Sequence, residues 1–154
     1  MEKALIGNRC RDRRAGDEPL GRMIGHTALL LKTELSREFR RQGLDITTEQ
    51  WMVIIHLWDH EGQYQRELAD HTLRDKPAIT RIVDRLQKDG LVLRKTDESD
   101  RRIYKIYLTD KGRQLRNRLF EVACEFESRM LRGVKKDDIA SLRRILSSIR
   151  KNLE

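Results

Sequence analysis

Residues Asp75–Leu108 read DKPAITRIVDRLQKDGLVLRKTDESDRRIYKIYL, and the stretch changes its period at Gly90. Before that glycine, Ile79, Ile82, Val83 and Leu86 recur at i, i+3, i+4 and i+7, the spacing of one narrow buried stripe on a helix. Asp75 is a good N-cap and Pro77 is tolerated only in a first helical turn, so a helix is predicted to start here and run to Gly90. Its outward face carries Pro77, Arg81, Asp84 and Lys88, with Thr80 and Arg85 on the flanks. After Gly90, Leu91–Thr96 and Ile103–Leu108 are rich in strand formers and predict a hairpin. The joining segment holds five charges in the six residues Asp97–Arg102, although a hairpin turn needs only a Gly, Asn or Asp.

Working upstream, Arg66–Thr72 predicts a short helix with Leu68 and Ala69 inward, separated from the next by a tight break at Leu73-Arg74. Thr47-Thr-Glu-Gln50 is a capping-box pattern that opens an apolar helix, Glu49–His60, stopped by Gly62. Residues 20–42 have no internal proline and carry Met23, Ile24, Leu30, Leu31, Leu35 and Phe39 at near-helical spacing. Gly43 is their C-cap. Downstream, Thr109-Asp-Lys-Gly112 opens a helix to about Leu131. A last helix over Lys136–Leu153 repeats Ile139, Leu142, Leu146, Ile149 and Leu153, a 3-4-3-4 spacing that packs against another helix.

Composition narrows the partners. The 154 residues suit one domain and need no staples to bury a core. No apolar run approaches the roughly 18 residues of a membrane span, and residues 1–16 lack the apolar core of a secretory signal. No membrane partner and a cytoplasmic location are therefore expected. The two cysteines, Cys10 and Cys124, form no CxxC and no framework, which fits a reducing compartment. The net charge of +8 makes nucleic acid the first partner to consider. Residues 43–73 have a net charge of −5, residues 74–102 of +3 and residues 103–118 of +4, so the positive potential begins at the predicted break.

The order helix, helix, tight break, helix, hairpin is that of a winged helix-turn-helix, in which the second helix of the pair enters the major groove with its N-terminal residues on base edges. The fold class is thus mainly α with a small β-hairpin wing. Ala78 and Thr80 are short enough to allow close approach to bases. Arg81 can fork onto the O6/N7 edge of guanine. Lys76, Arg85 and Lys88 suit phosphates, which give affinity without sequence information. The bland reading is a solvated helix face in which Asp84 and Asp89 pair with these cations at i+3 and i+4.

Leu68-Ala-Asp-His-Thr-Leu73, Asp75–Leu86, Lys88-Asp-Gly-Leu-Val92, Asp97-Glu-Ser-Asp-Arg-Arg102 and Leu108-Thr-Asp-Lys-Gly112 together resemble the MarR family of bacterial transcriptional regulators. The resemblance covers about residues 20–152, and its specific part is 66–112. It implies a homodimer on a pseudo-palindromic operator of double-stranded DNA, with a wing arginine, Arg101 or Arg102, in the minor groove and Asp100 orienting it. It implies a dimerisation layer built from the N- and C-terminal helices, about 20–42 and 113–153, around a winged helix-turn-helix at about 47–108. Residues 1–19 remain as a basic N-terminal arm. It further implies repression relieved by a small-molecule effector or by oxidation, with an effector cleft between the DNA-binding lobe and the dimer layer. The site expected is Arg74, Lys76, Pro77, Ala78, Thr80, Arg81, Arg85, Lys88, Asp100, Arg101 and Arg102. In the wing, Asp97 and Glu98 are expected to keep the tip solvated.

Other residues carry weaker signals. Cys10 lies among arginines, and nearby positive charge raises thiol reactivity. A peroxide-sensing branch of the family has its cysteine near the start of the first helix, which falls here at about Met23, so Cys10 reads as a thiol in a basic arm. Cys124 reads as a packed small hydrophobe. His56 and His60 are one turn apart, within mutual zinc-ligand reach, but without a third ligand in sequence. Thiol oxidation, zinc sensing and transcriptional activation stand as alternatives to effector-relieved repression. Trp51, Ile54, Ile55 and Trp58 read as core. No nucleophile motif, Gly-rich phosphate loop or HExxH occurs, so neither catalysis nor a cofactor is expected. A winged-helix module that binds protein instead of DNA remains a third class, distinguished by a lack of salt-sensitive DNA binding.

Overall fold

The computed structural model describes residues 18–100 and 102–154. The elements run α1 (Leu20–Arg41), α2 (Thr48–Asp59), β1 (Gln63–Tyr64), α3 (Gln65–Thr72), α4 (Lys76–Lys88), β2 (Val92–Thr96), β3 (Tyr104–Leu108), α5 (Asp110–Met130) and α6 (Lys136–Lys151). Most of the basic arm, Cys10 included, and Arg101 therefore lie outside the described residues.

Local chemistry sets most of the boundaries. The capping box forms as its residues require: the Thr47 hydroxyl accepts from the Gln50 N–H at 3.2 Å, and the Gln50 side chain accepts from the Thr47 N–H at 2.9 Å. Asp75 accepts from the Ala78 N–H at 2.7 Å and caps α4, with Pro77 in the first turn. Gly90 then turns the chain out of α4 at φ +72°, a conformation that costs glycine little. Leu73 is the only non-glycine residue at positive φ among the described residues; at φ 52° it closes α3 and lets the Arg74 N–H reach the Ala69 carbonyl at 3.0 Å.

The predicted hairpin forms from β2 and β3, and β1 adds a third strand to the sheet, in the order β1-β3-β2, all antiparallel, with Gln63 opposite Ile106 and Val92 opposite Leu108. Two residues are too few to leave a period-2 signal in sequence. Leu57 of α2, Leu68 of α3, Ile79, Val83 and Leu86 of α4 and Ile106 of β3 are fully buried in a single core. Trp51 packs edge-to-face on Phe39 of α1 at 5.5 Å and on Trp58 at 5.3 Å between ring centroids. Trp51 and Ile54 are thus core, while Ile55 and Trp58 are half-buried against it.

The Leu-Thr-x-x-Gly exit has a physical basis here. The Thr109 hydroxyl accepts from the Gly112 N–H at 3.0 Å and donates to the Gly90 carbonyl at 2.6 Å, and its N–H donates to the Leu91 carbonyl at 3.0 Å. This pins the start of α5 against the entry to β2. A Cβ on Gly112 would overlap the Leu91 carbonyl oxygen, so α5 would have to move. Gly112→Ala should cost about 1–3 kcal/mol by overpacking. Thermal unfolding checks this: each kcal/mol lowers the Tm by roughly 2–4 °C in a chain of this size, and an unshifted Tm would show that the backbone gives way freely.

Two long amphipathic surfaces find no cover among the described residues. α6 has no buried residue, and Leu142, Ile145 and Leu146 are 50%, 51% and 41% exposed. On α1, Leu20, Met23, Leu29 and Leu30 are exposed as well. The possibility that the terminal stripes pack on each other within one chain does not hold. Cys124, expected to be packed, is exposed: it lies on α5 beyond the Leu119–Val122 face that α5 buries.

Candidate nucleic-acid interface

The face of α4 opposite its buried stripe presents Pro77, Arg81, Asp84 and Lys88, all exposed. Arg81 and Lys88 have no ion-pair partner among the described residues. Asp84, the i+3 candidate for Arg81, is instead taken by Arg94 of β2 at 2.6 Å. The solvated-face reading therefore holds only for Arg85, which pairs with Asp89 at 3.0 Å and lies 3.9 Å from Asp45. Lys76 is exposed in the first turn. Ala78 and Thr80 occupy opposite flanks of the helix and are half-buried. Ala78 faces a groove of about 380 Å³ shared with Arg81, Arg85, Arg74 and the start of α2. The Thr80 hydroxyl is already engaged: it accepts from Gln65 at 2.6 Å and donates to the Lys76 carbonyl at 2.9 Å.

Arg74 is exposed in the break, 3.8 Å from Glu49, whose other cation is Lys32 of α1. Burial tends to raise the Glu49 carboxyl, but the hydrogen bond from Lys32, the α2 backbone and the two positive charges outweigh it and hold it below the usual carboxylate value.

The wing corrects one expectation. Asp97 does not solvate the tip: it is 4% exposed. One of its oxygens accepts from the Tyr64 hydroxyl and from Lys105, each at 2.8 Å, and the other accepts from the Ser99 N–H at 2.8 Å, the Asp100 N–H at 3.2 Å and the Ser99 hydroxyl. Lys105, then Ser99, then Tyr64 keep its carboxyl well below the ordinary range, and Asp97 in turn raises Lys105. Glu98 alone of the pair faces solvent. Asp100 is exposed and accepts from the Arg102 main-chain N–H at 2.9 Å; the carboxylate sits within the turn, two residues from the amide it caps. Arg102 is exposed. Arg101, the other expected wing cation, is outside the described residues.

Sequence reading missed Tyr64, Gln65, Arg94 and Lys105. Arg94 looks like one more DNA-facing cation, but its guanidinium donates to Gln87 and Asp84, both at 2.6 Å, and to Gln65 at 3.5 Å. It ties β2 to α4. Only the period-2 position of Arg94, opposite Ile106, hinted that it could face the helix.

His56 stacks on His71 of α3, with centroids 5.3 Å apart, and burial followed by the His71 charge lowers its pKa despite Asp59. No group of three His, Cys, Asp or Glu able to hold a metal occurs among the described residues.

A helix carried on a helix-turn-helix, with unpaired cations on its outward face among the described residues and a short sheet projecting a charged wing beside it, defines a winged helix-turn-helix protein. Residues 46–104 match the family model described as the MarR family. The chain is 26% identical over 133 residues to the uncharacterized HTH-type transcriptional regulator YybA of Bacillus subtilis, covering 86% of this chain and 87% of that one. It is 35% identical over 75 residues to the HTH-type transcriptional regulator TtmR of Methylorubrum extorquens, covering 49% of this chain and 38% of that one. Among solved structures, the transcriptional regulator SlyA superposes with a TM-score of 0.81 at 26% identity, covering 88% of this chain and 94% of that one. The transcriptional repressor CouR, bound to a 23-mer DNA duplex, superposes with a TM-score of 0.80 at 26% identity, covering 90% and 99%. The chain is thus similar to the MarR family of transcriptional regulators, by the family model over its winged helix-turn-helix and by fold over most of its length.

Proposed function

We propose that this regulator is a cytoplasmic, homodimeric repressor that binds a pseudo-palindromic operator in double-stranded DNA. The observation that carries the reading is Arg81, unpaired among the described residues at the centre of the outward face of α4 and flanked by Lys88 on the same face and by the wing. Arg81 reads bases in the major groove; Lys76, Arg85 and Lys88 hold phosphates, and Arg74 approaches them from the break. Ala78 lets the flank of α4 sit close to the backbone, and Pro77 starts the helix without a wasted donor. Thr80 contributes by fixing α4 to α3. In the wing, Asp100 shapes the turn, and one arginine, Arg101 or Arg102, enters the minor groove. The chain divides accordingly into a basic arm over 1–19, a winged helix-turn-helix over about 47–108 and dimerisation helices over about 20–42 and 113–153. The exposed stripes of α1 and α6 are the surfaces a second copy covers. A cavity of about 370 Å³ between α1, α2 and α5, with Lys32, Glu49 and Arg74 among its lining residues, is the place for a small-molecule effector.

CouR bound to a DNA duplex, and a cysteine-to-serine mutant of E. coli MarR complexed with operator DNA that superposes with a TM-score of 0.79 at 25% identity over 85% of this chain and 93% of that one, support the docking mode. Enrichment of bound fragments from sheared genomic DNA of the source tests it. A shared inverted repeat with half-sites about one helical turn apart is expected; fragments with no common sequence would contradict specific recognition. With such a fragment in hand, replacing Arg101 and Arg102 together by alanine should weaken binding to all duplexes, with a further loss where the flank is A·T-rich and its minor groove narrow. Unchanged affinity on both kinds of flank would remove the wing from the mechanism.

A further inference from the structure

Tyr64 and Gln65 are adjacent in sequence yet touch the two DNA-facing elements from opposite sides. The Tyr64 hydroxyl donates to Asp97 at the root of the wing, 33 residues away, and Lys105 completes the pair from β3 while lying 5.2 Å over the Tyr64 ring. Gln65 donates to Thr80 of α4 and accepts from Arg94 of β2. Asp97 also closes the wing turn, since it accepts from the Ser99 and Asp100 N–H groups, and its own N–H donates to the Ile103 carbonyl at 3.0 Å. Tyr64 itself, the last residue of β1 and the N-cap position of α3, is half-buried. The hydroxyl is not part of the apolar core, so its removal would leave the ring and take away the bond to Asp97 together with the interaction with Lys105.

We infer that the Tyr64–Asp97 hydrogen bond fixes the direction in which the wing projects relative to α4, making Tyr64 a positioning residue for minor-groove entry although it contacts no DNA. The inference rests on the operator-binding reading above. A buried carboxylate has few orientations that satisfy five donors at once, so the turn from Asp97 to Ile103 moves as a unit with whatever holds Asp97. Lys105 holds Asp97 only within the sheet, since it lies on β3 of the same hairpin. Arg94 ties the base of β2 to α4, and Tyr64 is the residue that refers the far end of the hairpin, the turn closed by Asp97, to the helix-turn-helix. Loss of the hydroxyl leaves the hairpin folded and anchored at its base, with the turn free to swing.

The test uses the full-length chain, the duplex that the wild type enriches from genomic DNA and a duplex of random sequence. Tyr64→Phe should weaken binding to the enriched duplex about 3- to 10-fold, the usual cost of ordering on the partner a group that is no longer held in place beforehand. The same change made in the Arg101→Ala/Arg102→Ala background should cost less than about 2-fold, because two residues that act through one another are not additive. The melting temperature should fall by no more than the few degrees that one hydrogen bond is worth, and affinity for the random duplex, to which the wing also contributes, should fall alongside that for the enriched one. Amide exchange at Ser99 and Asp100 should remain protected in Tyr64→Phe and become fast in Asp97→Asn, which separates a swinging wing from an unfolded one. Equal losses in both backgrounds, or no loss with the native wing, would overturn the inference. Failure of the wild type to enrich any duplex would sink the operator-binding reading, and this inference with it, before any variant is compared.

Discussion

Arg81→Ala should lower affinity for the specific operator by about 1–3 kcal/mol per half-site, the discrimination carried by one bidentate arginine–guanine pair, or roughly 5- to 140-fold. Binding to unrelated duplex should change far less. The expectation follows from where the guanidinium lies. It is exposed on the side of α4 opposite Ile79, Val83 and Leu86, and the acid that could have neutralised it, Asp84, is held by Arg94. Arg81 therefore meets DNA without first giving up a partner, whereas Arg85 must leave Asp89 or share it. Folding should not change, because an exposed arginine contributes little to the core. Competition binding of wild type and variant on operator and random duplex checks this, and equal losses on both would mean that Arg81 holds phosphate and reads no base.

A larger effect is expected at the other end of the chain. Leu142→Glu combined with Leu146→Glu should convert a dimer to single chains and weaken operator binding by about 100-fold or more, the usual loss when two linked sites become independent. Both leucines lie on the α6 stripe, and neither is buried within its own chain. Glutamate is as good a helix former as leucine, so α6 itself should persist. What changes is the surface offered to a second copy: two charges would have to be desolvated against apolar neighbours. Sedimentation and operator titration of the same preparation give both readouts. A variant that stays dimeric would place the interface elsewhere, on the α1 stripe alone.

Those two predictions draw on features that were legible in sequence, and it is clear why. The Asp75 cap, the capping box at Thr47, the apolar period of α4 and the 3-4-3-4 stripe of α6 are each set by residues three or four positions apart, so the pattern is printed locally. What escaped was set by residues far apart in the chain. Gln63-Tyr64 is a strand only because β3 offers it a partner more than 40 positions on. Asp97 looked like a solvent-facing acid because its neighbours in sequence are charged; its partners in space are a tyrosine and a lysine. Arg94 was indistinguishable by type from a phosphate-binding cation until its bonds to Asp84, Gln87 and Gln65 were visible. Thr80 reads as a small residue suited to a base edge, yet its hydroxyl serves the bond to Gln65 instead. Cys124 differs for another reason. Its apolar neighbours Val122 and Ala123 face inward, but one further step of about 100° around the helix carries the thiol to the surface. The site was thus readable as a set of cations on one helix, and unreadable as the scaffold that aims them.

The central claim is that α4 and the wing bind DNA through cations that replace condensed counterions. Titration of the wild-type chain with an enriched duplex across salt concentrations, from about 50 to 200 mM, tests it most directly. The account predicts a linear fall of log affinity with log salt, at a slope of about −0.9 for each phosphate neutralised. It also predicts that Lys88→Ala makes the slope shallower by about one unit for each phosphate that the variant leaves unneutralised. No binding at about 50 mM salt, or binding that salt leaves unchanged, would contradict it.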